Sequence, residues 1–149
     1  MTSLWVDADA CPNAIKTVIF KAAERRQLVT TLVANQYIKP PPSAVIKAIQ
    51  VPAGFDVADN EILKRMTGGD LVITQDVPLA AEVVEAGGFA LNPRGTLYTR
   101  ENVKDYLARR DGAEAMRDQG EHTSRAKPFD KKDVQAFANA LDRFLAQHA

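Results

Sequence analysis

The sequence predicts an α/β protein of three layers, in which a mostly parallel sheet of four to five strands is flanked by helices. Short apolar runs alternate with helical patterns at least four times along the chain, as in repeated βα units. The predicted strands are continuous apolar runs rather than apolar–polar alternations. That pattern is typical of a sheet that is covered on both faces.

Apolar periodicity, together with helix-start and turn residues, places the elements in order. The first half of the chain predicts a strand over 4–6, a helix from 12 to about 26, a strand over 28–34, a short helix over 43–48 and a short strand over 49–51. Ser43 is the expected cap of the short helix, because its hydroxyl can accept from amides of a first turn. The Pro40–Pro42 run before it predicts a stiff connector.

Glycine and proline divide the second half of the chain in the same way. It predicts a helix over 56–66, a strand over 71–74, a helix over 78–85, a strand over 89–91, a turn over 92–95, a helix over 100–116, a polar loop over 118–128 and an amphipathic helix over 130–145. The sequence shows no internal repeat. We therefore expect one domain over 1–149, with a helical C-terminal part from about residue 100.

The charges balance over the chain. It has 149 residues, with 19 Lys plus Arg and 19 Asp plus Glu, which excludes a polybasic protein that binds nucleic acid by bulk charge. Residues 93–132 hold ten basic and seven acidic residues, which suits either a nucleic-acid backbone or a solvated face of mixed charge. The single cysteine excludes an intrachain disulfide, and no signal or membrane-spanning pattern is present. We expect a cytoplasmic protein with no membrane partner.

Carboxylates follow two of the predicted strands and begin one of the helices. Asp7 and Asp9 follow the first strand, and Asp76 follows the 71–74 strand. Asp56 and Asp59 begin the predicted helix after Gly54. Ligands of an open parallel sheet bind at the carboxyl ends of its strands. Clustered carboxylates need a cation to stay ionised together, and oxygen ligands suit Mg²⁺ or Mn²⁺. Each acid taken alone also fits a turn or a helix cap.

Four other reactive residues are assigned to structure rather than chemistry. Asp70 precedes its strand and is expected at the opposite edge of the sheet from the other acids. Cys11 is expected to be packed, because no arginine follows it at phosphatase spacing. His122 and His148 fall in a loop and at the terminus, where a buried metal ligand is not expected.

Long segments of the chain resemble the bacterial YaiI/YqxD family. They are Trp5–Pro12, Gly54–Ile62, Gly69–Ala80, Ala90–Gly95 and Gln135–Asp142. That family is similar to the PIN-like nuclease superfamily, whose members cut RNA, or sometimes DNA, with Mg²⁺ or Mn²⁺ held by acids on a parallel sheet. The resemblance therefore implies a PIN-like domain and a metal-dependent ribonuclease-like phosphodiesterase.

The resemblance also implies roles for particular acids. The metal ligands and catalytic residues would be Asp7, Asp9, Asp59 and Asp76, with Asp56 beside them in support. Many PIN-like nucleases carry another glutamate on an earlier helix. This sequence departs from that pattern, because its one acid between residues 9 and 56 is Glu24, late on its helix and next to two arginines.

Three polar residues at strand ends are candidates for substrate binding. Asn35 follows the second strand, and Asn92 and Arg94 follow the last one. Amides can contact phosphate or base edges, and a guanidinium can bind phosphate through two hydrogen bonds. A polar loop at Asn35 and a tight turn at 92–95 are the structural alternatives. The expected partner is nucleic acid, with single-stranded RNA first.

Two other functions remain open from the residues. Asp7-Ala8-Asp9 looks like the nucleophile and acid pair of haloacid-dehalogenase-type phosphatases, with Asp70 and Asp76 as a distal acid motif. A metal-dependent nucleic-acid-binding module without turnover would need the same acids. Neither a GxGxxG nor a GxxxxGK[ST] motif is present, which argues against dinucleotide and P-loop ligands.

Overall fold

Six strands and five α-helices make up the described part of the chain. The structure is a computed structural model that describes residues 2–54, 56–118 and 129–148, with 110–118 as backbone alone. The elements are β1 (Leu4–Asp7), a 3-10 turn (Ala8–Ala10), α1 (Asn13–Arg26), β2 (Thr30–Ala34), β3 (Ile46–Gln50), α2 (Val57–Arg65), β4 (Leu71–Ile73), α3 (Val77–Glu85), β5 (Phe89–Leu91), β6 (Leu97–Tyr98), α4 (Arg100–Asp118) and α5 (Lys131–His148).

The strands form one sheet in the order β3-β2-β1-β4-β5-β6, in which β1 to β5 are parallel and β6 is antiparallel to β5. Alternate side chains of each strand enter opposite cores. Val6 and Ile73 pack with α1 and α5, whereas Val33 and Val72 pack with α2, α3 and α4. The mostly parallel, doubly covered sheet of the prediction is confirmed, and it explains why the strands are uninterrupted apolar runs.

The strand order places a crevice between β1 and β4. The chain runs from β1 outward to β2 and β3, and then returns through α2 to β4 on the other side of β1. The connections on the two sides therefore diverge above the carboxyl ends of β1 and β4. In open α/β sheets this reversal of strand order is where ligands bind.

Two edge strands correct the sequence prediction. The predicted helix over 43–48 is wrong, because β3 occupies 46–50 and pairs with β2 along its length. Ser43 Oγ does accept from the amides of Val45 and Ile46, at 3.1 and 3.3 Å, but it begins a strand rather than a helix. The two-residue β6 was not predicted at all, so the sheet has six strands rather than four to five.

The helical C-terminal part packs back onto the sheet. Phe137 and Leu141 of α5 are fully buried in the core they share with α1. Gly95, in the turn between β5 and β6, has φ +99°, and a Cβ there would lie 2.9 Å from the backbone of Ala136. The turn therefore docks directly on α5. Residues 119–128 of the predicted loop over 118–128, with His122, lie outside the described residues. Asp118 is the last residue of α4.

Among the helices of the described residues, none combines the length and the apolar character that a bilayer span requires.

Candidate functional site

Three carboxylates meet above the crevice between β1 and β4. One oxygen each from Asp56, Asp59 and Asp76 lies within 4.8 Å of the other two. Asp56 and Asp59 come from the start of α2, and Asp76 comes from the start of α3. The three side chains are therefore brought together by two helices that follow different strands.

Asp7 lies next to this cluster at the end of β1. It is one residue beyond the paired Val6 and Ile73, and its Oδ2 accepts from Thr74 Oγ1 at 2.9 Å. Thr74 Oγ1 also accepts from the backbone amide of Asp76, at 3.0 Å. A single buried hydroxyl thus sets the positions of Asp7 and of the backbone that carries Asp76.

Local structure explains how each carboxylate is presented. Asp76 caps α3, since its Oδ1 accepts from the amide of Leu79 at 3.0 Å. Asp56 precedes α2 in the left-handed conformation, with φ 62°, and its carboxylate makes no capping bond. Asp59 lies in the first turn of α2, where the helix dipole favours a negative charge.

The proximity of the acids changes their protonation. The pKa of Asp59 is raised to about 7, mainly by burial, and in addition by the negative charges of Asp76, Asp7 and Asp56 and by a hydrogen bond with Asp56. Burial also raises the pKa of Asp7, together with the charges of Asp76 and Asp9, against the lowering effect of the Thr74 hydrogen bond. The charges of four acids are therefore coupled at one site, namely Asp7, Asp56, Asp59 and Asp76.

The donor set fits a hard divalent cation. All the candidate ligand atoms are carboxylate oxygens, the donors that Mg²⁺, Mn²⁺ and Ca²⁺ prefer. Opposite oxygens around Mg²⁺ are about 4.2 Å apart, since each Mg–O bond is about 2.1 Å. Each pair of cluster oxygens lies within 4.8 Å, so an ion between them needs at most a small inward movement of the carboxylates. A cation that offsets the mutual repulsion of these acids favours a small contraction.

The raised pKa of Asp59 predicts how stability depends on pH in EDTA. A carboxyl whose pKa is higher in the native state than in the unfolded chain binds its proton more tightly when folded. Its contribution to stability is therefore lost as pH rises from about 4 to above 7. We expect Asp59→Asn to raise the melting temperature at about pH 8 and to have little effect at about pH 5, measured by circular dichroism.

A neighbour on the same helix provides the control. Glu61 lies two residues after Asp59 and forms an ion pair with Arg65 at 2.9 Å, outside the cluster. Glu61→Gln should change stability little at either pH. An Asp59→Asn variant that is no more stable than the native chain at about pH 8 would show that burial and the neighbouring acids do not destabilise the ionised form of Asp59.

Asp9 takes a different partner from the other predicted ligands. Its Oδ2 accepts from the backbone amide of Asn35 at 2.7 Å, which ties the turn after β1 to the end of β2. Asn35 in turn accepts at its backbone oxygen from Gln50 Nε2, at 3.3 Å. The side-chain Oδ1 of Asn35 is buried, with no hydrogen-bond partner among the described residues. The direct metal-binding role of Asp9 stays a prediction.

Asn92 and Arg94 make contacts within the protein. Asn92 Oδ1 accepts from the amide of Arg94 at 2.8 Å, and its Nδ2 donates to the hydroxyl of Tyr98 at 3.0 Å. The guanidinium of Arg94 lies 2.7 Å from Asp133 Oδ2 and 4.1 Å from the centre of the Phe129 ring. These contacts join the turn after β5 to α5. They favour the structural alternative, and substrate binding by either residue stays a prediction.

Three of the four residues assigned to structure, Asp70, Cys11 and His148, are described by the structure and lie where the sequence placed them. Asp70 precedes β4 at the opposite edge of the sheet and is 3% exposed. Cys11 is buried, and burial raises the pKa of its thiol to about 12, which keeps it protonated. The ring of His148 packs on Phe89 and Phe144, with centroids 4.6 and 4.4 Å away.

Two contributors to the site were not singled out from the sequence. Thr74 was seen only as part of a strand end, although a hydroxyl residue at the end of a buried strand, two positions before an acid, is a usable signal. Tyr98 lies on the unpredicted β6, and its pKa is raised mainly by burial and in part by the charge of Asp76. No local pattern marks that tyrosine as a neighbour of the acids.

Comparison with known proteins shows the family. Residues 5–147 match the family described as "Uncharacterized BCR, YaiI/YqxD family". The chain is 59% identical over 144 residues to a "UPF0178 protein" of Shewanella amazonensis, covering 97% of both chains. It is 56% identical to "UPF0178 protein" sequences of a Janthinobacterium species and of Pectobacterium carotovorum, covering 97% of this chain and 95% and 96% of theirs. The chain belongs to the YaiI/YqxD family.

Proposed function

We propose that the chain is a PIN-like phosphodiesterase that uses Mg²⁺ or Mn²⁺ to cut nucleic acid, with single-stranded RNA as its first expected substrate. The observation that carries the proposal is the convergence of three carboxylate oxygens within 4.8 Å at the reversal of strand order. An all-oxygen set at that place suits a hard cation and a substrate that approaches from above the sheet.

Asp7, Asp56, Asp59 and Asp76 have two different roles in this proposal. Asp56, Asp59 and Asp76 would hold the ion, and Asp7 adds negative charge from the end of β1. A Mg²⁺ or Mn²⁺ ion held there would supply Lewis-acid charge and activate water for attack on phosphorus. Asp59, with its pKa at about 7, can give up its proton to solvent when the cation arrives and remains ionised beside it.

Buried Thr74 keeps this arrangement rigid. It contacts Asp7 through its hydroxyl hydrogen and the backbone of Asp76 through its oxygen, so the ends of β1 and β4 move together. Gln75 adds a second tie, since its Nε2 donates to the carbonyl of Ala10 at 2.6 Å. A site that must keep several like charges together needs such support.

The test is direct. Purified native chain is incubated with labelled single-stranded RNA in Mn²⁺, in Mg²⁺ and in EDTA, and Mn²⁺ binding is measured in parallel by electron paramagnetic resonance. We expect Mn²⁺ binding and cleavage that EDTA abolishes. Binding of Mn²⁺ and RNA without cleavage would leave only the binding module. Absence of Mn²⁺ binding would remove the proposal altogether.

The phosphatase alternative has less support. Its acid, Asp9, accepts from the amide of Asn35 at 2.7 Å and is not one of the three converging carboxylates. Beryllium fluoride, which mimics a phosphate on an aspartate, separates the two chemistries. Formation of a stable fluoride adduct on Asp7 would favour the phosphatase over the nuclease.

A further inference from the structure

A second recess lies beside the acidic site, at the carboxyl end of β2 and β3. It has a volume of about 410 Å³, within the range of small-ligand pockets. Its floor is apolar, and its rim carries one aromatic ring and two amides. The lining residues used below are Gln36, Tyr37, Ile38, Ala48 and Gln50.

Tyr37 is the unusual feature of this recess. It is 72% exposed, and among the large hydrophobic side chains that are exposed in the described residues it is the one aromatic. An aromatic ring left in water beside a recess has a free face on which a flat ligand can stack. Lys39, also exposed, follows two residues later on the same loop and adds positive charge.

The amides at the rim supply the polar half of the chemistry. Gln36 and Gln50 are both exposed, and an amide presents a donor and an acceptor side by side. Such pairs match the hydrogen-bonding edges of nucleobases. Stacking on an aromatic ring together with amide contacts at the edge is how proteins hold unstacked bases of single strands.

The recess is connected to the acidic site through one residue. Gln50 donates to the backbone oxygen of Asn35, and the backbone amide of Asn35 donates to Asp9, which follows Asp7 by two residues. Asn35, at the end of β2, therefore lies between Gln50 of the recess and Asp9 of the turn after β1. A single strand that crosses the carboxyl ends of β4, β1, β2 and β3 in that order passes first the acids and then the recess.

We propose that the Tyr37 recess binds one unstacked base of a single-stranded nucleic acid whose backbone lies over the acidic site. This deepens, and rests on, the proposed nuclease function, since it assigns a base-binding subsite for the single-stranded substrate of that function. Duplexes are poor ligands, because their bases are already stacked and paired.

The test is the affinity of labelled oligouridylate, measured by fluorescence anisotropy in Ca²⁺, for the native chain and three variants. Tyr37→Ala should weaken binding about tenfold, and Tyr37→Phe should keep it, because the ring supplies the stacking. Val29→Ala is the matched control, since Val29 is also exposed, at 48%, but precedes the other end of β2. An abasic strand should bind native chain and Tyr37→Ala equally.

Two results would overturn the subsite. One is an unchanged affinity of Tyr37→Ala for oligouridylate, and the other is an equal loss for the abasic strand, which would assign Tyr37 to the backbone. Cleavage in Mn²⁺ separates this from the proposed function. Tyr37-dependent binding without cleavage would exclude the nuclease function and keep the subsite. If Tyr37→Ala instead cleaves and binds the strand as well as the native chain does, the nuclease function stands and the subsite is excluded.

Discussion

Replacing Asp59 or Asp76 with asparagine should reduce Mn²⁺-dependent cleavage of single-stranded RNA by at least about 100-fold. Substituting a residue that only hydrogen-bonds to a metal ligand already lowers metal affinity or activity about 10- to 100-fold, and these two residues are proposed as ligands themselves. Each substitution removes one negative charge from the three oxygens that converge within 4.8 Å. The amide that replaces it is a weaker ligand and cannot offset the charge of a divalent ion. Mn²⁺ affinity should fall together with the rate.

Asparagine is the informative substitution at Asp76 because it separates chemistry from folding. Asp76 Oδ1 accepts from the amide of Leu79, and asparagine is as good a cap as aspartate. The melting temperature of Asp76→Asn should therefore not fall below the native value in EDTA, and at about pH 8 it should rise, because the repulsion between Asp76 and Asp59 is removed. An Asp76→Asn variant that is folded and cleaves RNA at the native rate would exclude this residue from the mechanism.

Glu61→Gln is the matched control for Asp59→Asn. Both residues are acids of α2, but Glu61 pairs with Arg65 and does not join the cluster. Cleavage and Mn²⁺ binding should be unchanged in Glu61→Gln. A loss in both variants would mean that the negative charge of α2 matters in general rather than the position of Asp59.

The largest effect on stability is expected at Asp70. It is 3% exposed, and its two oxygens accept from four donors: the amides of Ser3 and Thr67, the Thr67 hydroxyl and Trp5 Nε1. Asp70→Ala leaves these donors without their acceptor next to the N-terminal end of β1. We expect a loss of about 3 kcal/mol in the free energy of unfolding, measured by urea titration.

An exposed acid provides the comparison. Asp142 pairs with Arg25 at 2.9 Å, but both side chains are more than half exposed. Asp142→Ala should cost less than about 1 kcal/mol, because surface ion pairs contribute little. If Asp70→Ala is no more destabilising than Asp142→Ala, the four hydrogen bonds do not anchor β1 to β4. Mn²⁺ binding by the surviving folded fraction should be retained, since Asp70 lies at the opposite edge of the sheet.

The central strands could be predicted because each is a continuous apolar run, as expected for a strand whose two faces are both buried. Leu71–Ile73 and Phe89–Leu91 have the predicted type and lie within a residue of the predicted bounds. Of the edge strands, β3 was predicted only over 49–51 and β6 not at all, because their conformation depends on a partner. Ile46–Gln50 is stabilised as a strand by its pairing with β2, and Leu97–Tyr98 by its pairing with β5.

For the site, the amino-acid pattern was enough to place acids at the ends of strands and at the starts of helices, because Asp7, Asp59 and Asp76 adjoin elements with clear apolar patterns. Which of the acids converge follows from the fold. It brought the carboxylate of Asp56 into the cluster and engaged that of Asp9 with Asn35. The physical reason is that these contacts depend on the return of the chain from β3 through α2 to β4, which sets distances between residues that lie far apart along the sequence.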